Sequence, residues 1–185
     1  MSIVVTLPQT LLDGLRAEAR AASWFAALGE PLTEGDRDDA GAYVSNLGFG
    51  VMEIGQARDW PDAERLLKSP EWAPAWWDRE EALRRKLLAE AEARYPERAL
   101  WSSLTELTTE AGDLVHGKAA TAAARMGHAA PASIHVAAGA ASQAVYHLAL
   151  ARLAASAGSP FESKFRLYAA GRWPLGVIGS RLILF

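Results

Sequence analysis

Residues Pro96 to His116, PERALWSSLTELTTEAGDLVH, decide the fold class. Leu100, Leu104, Leu107, Ala111 and Leu114 recur at spacings of three and four, the period of one helix face, and Pro96 opens the segment where a helix start tolerates a missing N–H. The same period extends in both directions. Upstream, Leu83, Leu87 and Ala91 stand four apart in a stretch of strong helix formers, which predicts a helix from about Asp78 to Tyr95. Downstream, the longest apolar helix is expected from about Ala132 to Ser156, and a last one from Pro160 to Ala170.

Three further helices are expected nearer the N-terminus. Leu12, Leu15, Ala19, Ala22 and Ala26 form a stripe that should run to about Leu28, with Gly29 to end it. A second helix is expected from Asp36 to Gly48 with Ala40, Tyr43, Val44 and Leu47 inward, and a third after Asp59 with Pro61 in its first turn and Leu66 and Leu67 as core contacts. Strand signals occur at both ends. Ser2 to Leu7 is β-branched and short, and Val177-Ile178 and Leu182-Ile183-Leu184 flank Gly179-Ser180, a two-residue hairpin pattern. A hairpin alone is marginal in water, so the N-terminal strand is the expected third member of a small sheet. The expectation is a mainly α single domain over residues 1–185, an irregular bundle of six or seven helices with a small β element.

Composition narrows the function classes. The 185 residues are half apolar, enough for one sizeable core, and the net charge of −3 lacks the basic excess of a general nucleic-acid binder. With no cysteine, thiolate metal sites, disulfides and cysteine nucleophiles are excluded. Met1 to Leu7 has no basic region followed by a long apolar run, so a cytoplasmic chain is expected. The charge-free run from Met126 to Ala151 is long enough for a bilayer, but Pro131, His128, His135, Gln143 and His147 within it favour a helix buried in protein rather than in membrane. No dinucleotide, phosphate-loop, zinc-helix, calcium-loop or nucleophile-elbow motif occurs.

The opening Ile-Val-Val-Thr-Leu-Pro-Gln-Thr-Leu-Leu resembles the first strand and helix of ribbon-helix-helix DNA-binding proteins. That resemblance implies DNA contact by outward strand residues. Here those positions are Ser2, Val4 and Thr6, with no Arg or Lys, and the following segment is acidic, so it does not carry over as a function.

Four features carry the candidate chemistry. Glu106, Glu110, Asp113 and His116 are spaced for one helical metal face, yet their carboxylates centre about 120° away from the leucine stripe and so are expected to face solvent. His135, Gln143, Tyr146 and His147 fall within an arc of about 140° on the charge-free helix, a polar patch suited to a ligand. Trp72, Trp76 and Trp77, with Trp60 and Trp173 elsewhere in the chain, are candidate anchors for a partner or plugs of the core. Residues 30–62 hold eight acids against two arginines, giving −6, whereas residues 159–185 hold Glu162 against Lys164, Arg166, Arg172 and Arg181, giving +3. Such ends attract one another, within one chain or between two. The expected function is an accessory or protein-interaction domain, with a second copy of the chain as one expected partner. The alternative is a helical enzyme or small-ligand binder, with or without a metal, using the His135 and His147 patch. No particular cofactor is implied.

Overall fold

A computed structural model describes residues 7–128 and 130–185. Seven α-helices lie among the described residues: α1 Gln9–Ala21, α2 Glu34–Val44, α3 Trp60–Leu67, α4 Pro74–Glu92, α5 Glu97–Arg125, α6 Pro131–Leu153 and α7 Pro160–Ala169. Three strands accompany them: β1 Glu53–Gln56, β2 Pro174–Ile178 and β3 Arg181–Leu184. No described helix is long and apolar enough to cross a membrane.

The long antiparallel pair α5 and α6 forms the spine. On α5 the expected stripe is buried at Leu100, Leu104, Leu107 and Ala111, then passes to Val115, Ala119, Ala122 and Ala123. Leu114 is only partly buried, because a period of about 3.6 drifts off a strict three-four alternation over eight turns. α6 is buried almost all round from Ala144 to Leu153, and its many alanines bring α5, α7 and α1 close to its backbone.

The C-terminal hairpin forms as its sequence predicts, with Gly179 at φ +60 in the turn. It is sandwiched between two core clusters. Leu182, Leu184 and Val177 face Tyr43, Val44 and Trp76, while Ile183, Phe185 and Leu175 face Trp60 and Trp173. Alternation along the strands thus feeds two apolar layers at once.

The third strand differs from expectation. β1 pairs parallel to β3, in the order β1-β3-β2. The N-terminal strand expected over Ser2–Leu7 lies outside the described residues except for Leu7, which is not in a strand. β1 escaped the sequence reading because it is four residues long and contains Gly55, a poor strand former. A Cβ there would stand 2.6 Å from Ile183 Cδ1, so any larger residue would push that side chain aside.

Two helix boundaries also move. α1 stops at Ala21 instead of Leu28, and the turns that follow it bury both Trp24 and Phe25. Phe25 adopts φ +59, and its ring packs edge-on against Tyr168 and Trp173 at 6.1 and 6.3 Å. α4 begins at Pro74 rather than Asp78, taking in Trp76 and Trp77. α2 ends at Val44 in a π-turn over Ser45–Phe49, and its expected inward residues Ala40, Tyr43, Val44 and Leu47 are all buried.

The charge asymmetry between the chain's ends is answered within the chain. Arg166 pairs with Asp39 at 2.6 Å, and buried Arg172 pairs with buried Asp36 at 2.9 Å. Arg172 also donates to the carbonyls of Ala27, Glu30 and Pro31, clamping the segment that follows α1 onto the hairpin. Burial raises the Asp36 pKa, but hydrogen bonds from Thr33 and the Arg172 guanidinium outweigh it and hold the carboxyl below its ordinary value.

Candidate functional site

Where α3 passes the start of α6, the packing leaves a half-open pocket of about 580 Å³. Its exposed apolar lining is Leu67 of α3, Trp72 before α4 and Val136 of α6, with Trp60 and Ala63 of α3 and Trp173 before β2 behind them, each 2 % exposed or less. Local sequence explains the placement. The Asp59 carboxylate caps α3 by accepting from the Asp62 N–H, Pro61 fits the first turn, and Trp60 at the helix start is turned into the core, its ring edge-on to Phe185 at 5.5 Å. Trp72 is tied across the edge of β2, its Nε1 donating to the Leu175 carbonyl at 3.3 Å. Trp173 is held in place by two backbone hydrogen bonds with Phe185.

A polar cluster sits on the same rim. The His128 ring stacks flat on Trp60, with centroids 5.1 Å apart. Its Nε2 lies 3.2 Å from Glu64 Oε1 and 3.4 Å from Ser133 Oγ, and the Ser133 hydroxyl donates to the same Glu64 oxygen. A serine-histidine-acid relay places serine and acid on opposite ring nitrogens. Here both approach one nitrogen, so the three groups form a clamp that joins α3 to the first turn of α6. Lys68, one helical turn beyond Glu64, completes the lining.

The sequence candidates fall in several places. Trp72 and Trp173 both line this pocket. Trp76 is buried with its Nε1 donating to the Tyr43 hydroxyl at 2.8 Å, whereas Trp77 is 49 % exposed. On α6, His135 and Gln143 are exposed, Tyr146 is half-buried and His147 is buried. His135 and His147 are twelve residues apart, about 18 Å along the axis, so one small ligand does not touch both. His135 instead approaches the Pro131 carbonyl and lies edge-on to His116 across α5.

The proposed metal face is occupied by arginines. Arg16 of α1 lies 3.3 Å from Glu110 and 3.8 Å from Glu106, and Arg20 lies 3.7 Å from Glu110. Among the described residues no group of three or more His, Asp or Glu is placed to hold a metal ion. The metal-dependent alternative has no structural support, because these carboxylates serve to dock α1 on α5.

A second set of polar groups lies sealed in the core. Lys164 Nζ meets Glu80 Oε1 at 2.6 Å, and the Tyr43 hydroxyl donates to the same oxygen at 2.5 Å. Burial and the Glu80 charge push the Tyr43 and Tyr168 hydroxyls well above the ordinary tyrosine pKa. His147 stacks on Phe161 at 4.1 Å with neither ring nitrogen hydrogen-bonded. Burial, with the charges of Lys164 and Arg84, drives its pKa well below the ordinary value. The set links α2, α4, α6 and α7 but opens onto none of the described pockets.

Fold and site together define a helical domain with a tryptophan-walled pocket. No family model, curated protein or solved structure matches the chain.

Sequence reasoning missed Trp60, Glu64, Lys68, His128 and Ser133 as one group. Glu64 and Ser133 are 69 positions apart and meet only through the α3 to α6 packing. Neither helix carries a spacing that announces the other.

Proposed function

We propose that this chain is a ligand-binding domain that takes a small aromatic compound into the pocket between α3 and α6. The observation that carries the reading is the convergence of Trp60, Trp72 and Trp173 on one cavity of about 580 Å³. That volume falls within the usual range for small-molecule sites, and mostly apolar walls with a few fixed polar groups are their usual make-up. Trp60 and Trp173 are held from behind by Phe185, so the walls stand in place before a ligand arrives, which lowers the entropic cost of binding.

A variant that fills the cavity tests the reading. Ala132 is exposed in the first turn of α6 and lines the pocket, so Ala132→Trp should occupy it while leaving the helix start unchanged. Ligand-observed NMR with a set of small aromatic fragments should show binding to the natural chain and loss of it in Ala132→Trp. Equal binding to both proteins contradicts the proposal.

A second reading is a protein-interaction surface that takes a second copy of the chain. It is supported by Trp77, whose indole is half exposed on α4.

A further inference from the structure

The pocket's charges select among aromatic ligands. Glu64 on α3 and Lys68 at its C-cap stand four residues apart, a spacing that puts two side chains on one helix face with Cβ atoms about 6 Å apart. Such pairs commonly join each other on helices. Here they do not: among the described residues the His128 ring nitrogen, 3.2 Å away, is the basic group beside Glu64, and Lys68 makes no ion pair. Glu64 Oε1 is taken by His128 and Ser133, which fixes the carboxylate, while Oε2 accepts no hydrogen bond from the described residues. Among the described residues the rim thus presents one anchored acceptor and one unpaired ammonium beside an apolar pocket.

The geometry points to a zwitterionic ligand, an aromatic amino acid or a compound of that chemistry. Its ring lies in the apolar pocket against Trp72, Leu67 and Val136, its ammonium meets Glu64 Oε2 and its carboxylate meets Lys68. This inference rests on the pocket being a ligand site. A neutral aromatic would leave both rim charges solvated but unmatched. A purely cationic or purely anionic ligand would match one and be repelled by the other.

Four probes of similar size separate the possibilities by isothermal titration calorimetry: L-phenylalanine, phenethylamine, 3-phenylpropionate and benzyl alcohol. The expected order places L-phenylalanine roughly tenfold or more tighter than the other three, the gain typical of charge-assisted hydrogen bonds. Glu64→Gln should weaken L-phenylalanine and phenethylamine by roughly tenfold and leave 3-phenylpropionate unharmed. Lys68→Met should do the converse. The probe each variant leaves untouched shows that its pocket has kept its shape. Benzyl alcohol binding as tightly as L-phenylalanine, with neither substitution changing any affinity, would overturn the zwitterion and leave the aromatic pocket standing. Failure of all four probes would count against the pocket itself and remove the inference with it.

Discussion

His147 is a neutral imidazole by circumstance. Both its nitrogens lack partners, Phe161 covers one face of the ring, and the charges of Lys164 and Arg84 oppose a proton there. Its folded pKa is therefore depressed below the value of about 6.5 that an unfolded histidine keeps. Above about pH 6.5 neither state binds the proton, and the site adds no pH dependence. Below it, the unfolded chain takes up a proton that the folded chain refuses, so stability falls as pH drops, by up to about 1.4 kcal/mol per pH unit. Asp36 and Asp62, whose pKa values are lowered, contribute their own loss only at more acidic pH, where unfolded aspartates protonate. Urea unfolding of the natural chain and His147→Leu between pH 5 and 7 checks this: the substitution should flatten the slope, and an unchanged slope would contradict it.

At the scale of elements, the joint between the segment after α1 and the start of the hairpin brings two backbone segments into direct contact. Gly171 has φ +90, and a Cβ there would lie 2.7 Å from the Ala27 nitrogen, a backbone atom without freedom to move aside. Gly171→Ala should cost about 2 kcal/mol or more, since it combines a strained conformation with a backbone clash. A denaturant midpoint that moves by less than about a quarter of that amount would show the joint to be more pliable than its contacts imply. The joint also shows where sequence reading stopped. The Leu100 to Ala111 stripe and the Gly179-Ser180 turn are local patterns with a single structural solution, so α5 and the hairpin were legible. The end of α1 was not, because it is set by Trp24 and Phe25 finding Phe165, Tyr168 and Trp173, more than 130 positions away. β1 was hidden for the same reason, as a four-residue strand is specified by its partner β3 rather than by its own composition. The pocket combines both cases. Trp72 and Trp173 were visible as large aromatics near prolines, whereas the grouping of His128 with Glu64 and Ser133 is created by tertiary packing alone.

For the molecule as a whole, α3 and the segment after it, the start of α6 and the chain leading into β2 meet around one cavity. The hairpin supplies the wall at Trp173 and the backing at Phe185, α3 supplies Trp60 and the rim charges, and α6 starts at the mouth. Polar chemistry elsewhere is absorbed in holding the fold: Asp36 with Arg172, Glu80 with Lys164, and the α1 arginines with the α5 carboxylates. The rim of the pocket is where charged groups stand beside aromatic walls without being matched to each other. The chain has seven tryptophans, and each indole N–H gives its own signal in a nitrogen-proton correlation spectrum, so the claim reduces to which signals move. On titration with unlabelled L-phenylalanine, the Trp60, Trp72 and Trp173 signals should shift, while those of exposed Trp77 and Trp101 stay fixed. Shifts confined to Trp77 or Trp101, or a dependence of Trp77 on protein concentration with the pocket signals unmoved, would contradict the account and favour a surface that meets another protein.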